Sequence, residues 1–325
     1  MKNKIESFLH KISNKTIAII GDVMLDQYFC GNVSRVSPEA PVPVVDITSE
    51  TYHLGGAANV AQNLKSLGCK PILCGLLGND NLGNSFLEIC DKMGLDTFGL
   101  FRDKNRITTV KTRIIGNGQQ IVRMDKEITT PINIEGEVFF VDTLKSLPQL
   151  DGIIFEDYDK GTINKNLIKK IITFAKKNNI PIFVDPKFNN FSNYHNTTLF
   201  KPNKRETEVG LKTVLNSKEN IIEAGNTIIK NFNVENVLIT LGVDGMMLFE
   251  KNGYITSIPT IVRQVADVSG AGDTAIATIA AMYVSGMTIS DAAQVANITS
   301  GIVCEKPGIV AIEKKELIKA MHKYY

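Results

Sequence analysis

Hydrophobic and polar positions along this 325-residue chain alternate between two periods. Short, continuous apolar runs occur at 16–20, 71–77, 152–155, 180–184, 236–240 and 245–249. Runs of that length, apolar on both faces, predict strands of a sheet covered on two sides. Between most of them, apolar residues recur three and four positions apart, at 59–67, 83–93, 163–177 and 220–231, predicting helices with one buried face. The first twelve residues read as a further amphipathic helix, with charges throughout. Strands alternating with helices imply βαβ units, and so an α/β fold with a central, mostly parallel sheet flanked by helices. Ligands of such folds gather at the carboxyl ends of the strands.

Two segments break the alternation. Residues 32–47 hold three prolines and the valine-rich string Pro41-Val-Pro-Val-Val45, and residues 108–124 alternate polar and apolar around Gly116-Asn117-Gly118, a hairpin signal. Together they predict a small β-sheet flap, or lid, standing off the main sheet. So few strands are marginal alone, so the flap is expected to pack on the core or on a second subunit.

Composition narrows the classes. Hydrophobic residues make up 43% and charged residues 22%, ordinary proportions for a globular chain. The net charge is only +2, which gives no footprint for nucleic acid. The five cysteines are odd in number and form no Cys-x-x-Cys pair, so reduced thiols are expected rather than disulfides or zinc. No run reaches the length of a membrane span, and the amino terminus lacks the apolar core of a signal peptide, so a cytoplasmic location is expected. His10, His53, His195 and His322 show no metal-binding spacing.

The most informative chemistry lies in Asp267-Val-Ser-Gly-Ala-Gly-Asp273, followed by a long run of small apolar residues. Gly270 and Gly272 permit a sharp turn, and the helix behind them points its first N–H groups at the turn, the makings of an anion site. Asp273 either caps that helix or, as a general base, orients and deprotonates a substrate hydroxyl while the amides of Gly270, Ala271 and Gly272 stabilise a moving phosphoryl group. Asp22 and Asp26 follow the first strand and either cap a turn or accept hydrogen bonds from sugar hydroxyls. The diglycine Gly55-Gly56 opens a helix and allows close approach of a ligand, with Asn59 offering both donor and acceptor.

Taken in order, these elements resemble the ribokinase-like (PfkB) carbohydrate kinases. Gly55-Gly56-x-x-Asn59 and Asp267-x-x-Gly-Ala-Gly-Asp273 resemble the family's two signatures. Lys201-Pro-Asn203-Lys-Arg-Glu206 resembles its Asn-x-x-Glu element, and Thr240-Leu-Gly242-Val-Asp-Gly245 its nucleotide loop. The resemblance implies one ribokinase-like domain over 1–325, with ATP and Mg²⁺ and a homodimer formed through the flap. It implies nucleotide binding by Asn203, Glu206, Thr240, Gly242, Gly245, Asn297 and Gly308. Glu206 would meet Mg²⁺ through water, and Asp267 would serve a monovalent cation such as K⁺. Within the family the chain is most similar to the D-glycero-D-manno-heptose 7-phosphate kinases, through Gly21-Asp-Val-Met-Leu-Asp26, Ser34-Arg-Val-Ser-Pro-Glu-Ala-Pro-Val-Pro-Val44, Gln119-Gln-Ile-Val-Arg123-Met-Asp125 and Val184-Asp-Pro-Lys187.

That likeness implies phosphorylation of O1 of the heptose 7-phosphate on the route to lipopolysaccharide cores. Kinases of ribose, fructose or fructose 6-phosphate are the enzymatic alternative, and a silent sugar- or nucleotide-binding regulator the non-enzymatic one. A phosphorylated sugar calls for basic side chains, for which Arg123 and Lys187 are the candidates, with Arg113 and Arg35 behind them. The His-x-Gly-His motif of the nucleotidyltransferase half of bifunctional relatives is absent, so a kinase-only protein is expected. The string Glu156-Asp-Tyr-Asp159-Lys-Gly161 departs from the usual Ser-Asp-Tyr-Gly-Lys-Gly and places Asp159 where a glycine is the rule.

Overall fold

The computed structural model describes residues 2–261 and 265–324. The chain runs through α1 (Lys2–Ile12), β1 (Thr16–Gly21), β2 (Val23–Val36), β3 (Pro43–Gly56), α2 (Ala57–Leu67), β4 (Lys70–Gly78), α3 (Asn81–Lys92) and β5 (Leu100–Asp103). It continues through β6 (Val110–Gly116), β7 (Gln119–Lys126), α4 (Ile134–Ser146), β8 (Gly152–Glu156), α5 (Lys165–Lys177), β9 (Ile182–Asp185), β10 (Leu199–Phe200), α6 (Lys204–Leu211) and α7 (Lys218–Phe232). The last elements are β11 (Asn236–Thr240), β12 (Met246–Glu250), β13 (Ile255–Ile258), α8 (Ala271–Val284), α9 (Ile289–Cys304) and α10 (Lys314–Tyr324).

Nine strands form the main sheet, in the order β13-β12-β11-β10-β9-β8-β1-β4-β5. Pairing is parallel from β11 to β5, and β12 and β13 add an antiparallel edge. The apolar runs are continuous because each strand feeds two cores. In β1, Ile17 and Ile19 pack in one buried cluster with α2, α8 and α9, whereas Ala18 and Ile20 pack in the other with α4, α5 and α7. A side chain every second residue points to each face, so a strand covered twice has no polar side. The near-continuous apolar sequence of α8 has the same origin, since residues 273–282 are all buried.

The lid is a separate four-stranded sheet, β3-β2-β6-β7. Its hairpin turns at Asn117 and Gly118, both at positive φ, as the Asn-Gly pair predicts. The lid extends further than the expected 32–47 and 108–124. β2 begins at Val23 and β3 ends at Gly56, so the stems of the lid carry Asp26, Gly55 and Gly56 directly from the main sheet. Residues paired directly across the strands share a face. Phe29, Ile114 and Val122 form one such row, and Met124 lies beside it, opposite Thr112. Val122 and Met124 are 44% and 49% exposed, which leaves an apolar surface on that side. The other face carries Asp26, Tyr28, Lys111, Arg113, Arg123 and Asp125.

All five cysteines are free thiols, four of them buried. Among the described residues, no helix is long and apolar enough to cross a membrane.

Candidate active site

The carboxyl ends of the strands bring ionisable groups together that lie far apart in sequence. Glu156 ends β8, Asp185 ends β9, Lys201 follows β10, and Asp273 sits in the first turn of α8. Gly270 starts that turn in the left-handed region, at φ 79°. A Cβ there would come within 2.7 Å of Asn59 Nδ2, so only glycine lets α8 begin against α2. Asn59 Nδ2 in turn donates to Asp273 Oδ2 at 2.8 Å, and the Tyr158 hydroxyl donates to Oδ1 at 2.8 Å. Asn59 is itself fixed by Asn63, which also accepts from Thr274. Of the three amides expected to face an anion, that of Ala271 instead donates to the Val268 carbonyl at 3.3 Å.

Burial lifts the Asp273 carboxyl above its usual range, against the two hydrogen bonds that favour its charged form. Nearby Glu156 is pushed up well above the ordinary range by burial and by the charges of Asp185 and Asp273. Its Oε2 has no hydrogen-bond partner among the described residues. Lys201 bonds Asp185 Oδ2 at 2.7 Å. Burial alone would lower this ammonium, but Asp185 and Glu156 hold it charged.

Lys187 emerges after β9, as expected, yet its Nζ bonds Glu206 Oε1 at 2.6 Å and sits 5.2 Å from the Tyr158 ring centre. Glu206 Oε2 accepts from the Asn203 amide, while Asn203 Oδ1 accepts from the Glu206 amide, a reciprocal cap on α6. Asn203 and Glu206 thus cap the start of α6, and Glu206 also pairs with Lys187, beside the magnesium and phosphate contacts expected of them. The Asn-x-x-Glu spacing is also that of a capping box, so one pattern carries both readings.

The sugar-side residues divide. Asp22 receives the amides of Tyr158 and Lys160 on Oδ2 and of Thr162 on Oδ1. The expected sugar contact at Asp22 is replaced by an anchor for the 158–162 loop, because three backbone donors converge on the buried carboxylate. Asp26 instead faces the lid, ion-paired with Arg113. Burial raises the Asp26 carboxyl, and Arg113 works against that rise. A Cβ on Gly55 would fall 2.2 Å from Asp26 Oδ2, so the diglycine makes room for this carboxylate, while Gly56 caps α2 at φ 59°. Arg113 lies 5.2 Å from the Tyr28 ring centre, and the Tyr28 hydroxyl is buried without a hydrogen-bond partner among the described residues. Asp267 acts electrostatically on both Tyr28 and Arg113, which places this lid face opposite the 267–273 turn. Arg123 is half exposed and forks onto Asp125 at 2.9 and 3.0 Å, rather than reaching into the cleft, and Arg35 is exposed near the end of β2.

A cleft of about 320 Å³ adjoins the turn on its other side, lined by Thr240, Gly242, Gly245, Gly272, Asn297 and Ser300 among others. Thr240, Gly242, Gly245 and Asn297 were expected to line a nucleotide pocket and do share one cavity. Gly308 does not line it. Its amide donates to Asp267 Oδ2 at 3.2 Å, and the Ser269 amide donates to Oδ1. Burial opposes ionisation of Asp267, but these bonds outweigh it and hold the carboxyl below its usual range. A larger groove, about 750 Å³, runs between α4 and α5 past Lys145, Lys170 and Phe174, and holds none of the expected residues.

Asp159, the departure from glycine, adopts φ 57°, the backbone region that explains the usual glycine and that aspartate tolerates. Sequence reasoning missed Glu156, Tyr158, Asp185, Lys201 and Tyr28. The one signal for most of them was position at a strand end, which names a place rather than a task.

The arrangement has relatives. A family model described as pfkB family carbohydrate kinase matches residues 14–315. The bifunctional protein HldE of Pelobacter propionicus is 39% identical over 98% of this chain and 66% of its own length, and that of Helicobacter pylori is 40% identical over 93% and 65%. The chain thus spans about two thirds of the length of these curated relatives. Among solved structures, phosphofructokinase-2 from Escherichia coli in complex with fructose-6-phosphate superposes with a TM-score of 0.80 at 15% identity, covering 95% of this chain and 98% of its own. Arabidopsis thaliana ribokinase complexed with ribose and ATP gives 0.71 at 19% identity, with 94% and 98% covered. The ribokinase-like fold and the match along nearly the whole chain lead to one conclusion: this protein belongs to the pfkB family of carbohydrate kinases and is a sugar phosphotransferase.

Proposed function

We propose that the protein transfers the γ-phosphoryl group of ATP to O1 of D-glycero-D-manno-heptose 7-phosphate, giving the 1,7-bisphosphate. The observation that carries the transfer is Asp273, fixed by Asn59 and Tyr158 next to Gly272, which lines the 320 Å³ cleft. The nucleotide lies in that cleft against Thr240, Gly242, Gly245 and Asn297. The sugar lies under the lid, where Asp26 and Arg113 offer an acceptor and a donor and the Tyr28 hydroxyl, without a partner among the described residues, offers a third polar group. Asp273 accepts the O1 proton as that oxygen attacks the γ-phosphorus, and the bond to the leaving ADP oxygen breaks. The amides of Gly270 and Gly272 lie at the start of α8, where its dipole favours the developing negative charge.

Mg²⁺ supplies charge neutralisation on the phosphates when bound, and Glu206 and Asp185, whose charge acts on Glu206, would meet it. Asp267, held ionised, suits a monovalent cation, and a similar fold is known in complex with potassium. Lys187 and Arg123 serve the two anionic ends by exchanging Glu206 and Asp125 for phosphate oxygens. The heptose acceptor rests on the Ser34–Val44 string and its companions. The apolar outer row of the lid supports a homodimer closed through that face, and closure over the sugar limits wasteful hydrolysis.

The test is ADP release with ATP–Mg²⁺ across heptose 7-phosphate, fructose 6-phosphate, fructose and ribose, with Asp273→Asn in parallel. Turnover confined to the heptose phosphate and reduced at least about a hundredfold in Asp273→Asn is expected, given what a positioned base contributes. Turnover on another sugar discards the acceptor, and near-normal turnover in Asp273→Asn discards the base.

A further inference from the structure

We infer that a divalent cation binds between Glu156, Asp185 and Asp273 in the absence of any nucleotide. One carboxylate oxygen from each residue lies within 4.8 Å of those of the other two. Hard cations hold oxygens at about 2.0–2.6 Å, so ligands on opposite sides of one ion stand roughly 4–5 Å apart. The three groups therefore share an ion with little movement. Asp273 spends one lone pair of each oxygen on Asn59 and Tyr158, and Asp185 gives Oδ2 to Lys201, so each keeps acceptor capacity.

Two further observations point to a ligand. Glu156 is 1% exposed, and its Oε2 is buried with no hydrogen-bond partner among the described residues. No group among the described residues satisfies that oxygen, and a cation would. The local charge is also unbalanced. Glu156, Asp185, Glu206 and Asp273 face Lys187 and Lys201, which are already engaged with Glu206 and Asp185. Fully ionised, four carboxylates outnumber the two ammonium groups by two charges, a surplus that Glu156 limits by keeping a proton when no ion is bound and that one divalent ion would neutralise. Three carboxylates without histidine or thiol select Mg²⁺, Mn²⁺ or Ca²⁺ over zinc.

This ion binds before nucleotide and requires no particular sugar, so it stands apart from the heptose assignment, although it shares Asp185 with the magnesium position proposed above. Its effect is to hold Glu156 and Asp273 side by side as anions before substrates arrive.

The experiment titrates Mn²⁺ into the full chain, freed of metal with EDTA and without nucleotide, following free Mn²⁺ by electron paramagnetic resonance. One ion per chain is expected, displaced by Mg²⁺, with affinity at least tenfold weaker in Glu156→Gln and in Glu156→Ser. Thermal unfolding gives a second reading. Mg²⁺ raises the wild-type midpoint but not that of Glu156→Gln, whose midpoint in EDTA is at or above wild type because a buried carboxyl crowded by Asp185 and Asp273 has gone. A purely structural glutamate predicts the opposite, a midpoint lowered in EDTA. No Mn²⁺ bound by wild type at millimolar concentration, or wild-type affinity in either folded variant, overturns the inference.

Discussion

Replacing Tyr158 by phenylalanine removes one hydroxyl and leaves the ring that Lys187 overlies. That hydroxyl donates to Asp273 Oδ1 at 2.8 Å. Burial raises the Asp273 carboxyl, while Asn59 and Tyr158 pull it down. Losing one of the two donors therefore raises it further. A hydrogen bond to a charged group is worth about 1.5–3 kcal/mol, roughly a ten- to hundredfold change in the balance between the two protonation states. A base works only when deprotonated. The acid limb of kcat/KM against pH should thus move upward in Tyr158→Phe, so that activity on that limb falls by about that factor, with a much smaller loss on the alkaline plateau. The assay is coupled ADP release from pH 5 to 9, with circular dichroism to verify the fold. An unmoved acid limb in a folded variant would refute the link between Tyr158 and the proton-accepting group. A uniform drop at every pH would point to misplaced substrate instead.

The same proton logic applies to stability. Burial and the charge of Asp22 raise Asp157 from 3.8 to about 7, despite donors from Tyr194, Asn190 and the Asp159 amide. Between those values the folded state keeps a proton that the unfolded state has lost, so its contribution to stability is full below pH 4 and declines as pH rises toward 7. Urea midpoints at pH 5 and pH 7.5 should differ less in Asp157→Asn than in wild type, and an equal difference would contradict the assignment. On the lid, Val122→Asp with Met124→Asp places two charges on the exposed apolar row. Equilibrium sedimentation should show a dimer for wild type at micromolar concentration and a monomer for the double variant. A wild-type monomer, or an unaffected dimer, rejects the lid as the interface.

The layers of the fold were legible because each strand faces two cores. Ile17, Ala18, Ile19 and Ile20 are all apolar only because alternate residues serve opposite clusters. The strand expected at 236–240 is β11 itself, whereas β10, two residues long, is too short to leave a periodic trace. The extent of the lid was less legible, since Val23-Met-Leu-Asp26 is as apolar as a core strand although it leads out of the main sheet. Local motifs singled out Asn59, Gly270 and Asp273, which the structure brings beside one another, because glycines with one polar neighbour record a close approach. They did not reveal the partners of Asp22 and Glu206, which lie elsewhere in the chain: the 158–162 loop for one and Lys187 for the other. Glu156 escaped notice for the same reason. It becomes chemically unusual only beside Asp185 and Asp273, and no sequence window holds all three.

The account's central claim is transfer to an anomeric oxygen of a sugar already phosphorylated at its far end. The most direct measurement is ³¹P nuclear magnetic resonance of D-glycero-D-manno-heptose 7-phosphate incubated with the protein, ATP and Mg²⁺. The account predicts a new anomeric phosphate signal growing in step with ADP while the 7-phosphate signal persists. ADP formation without that signal, or an anomeric signal from an unphosphorylated hexose in place of the heptose, would contradict it.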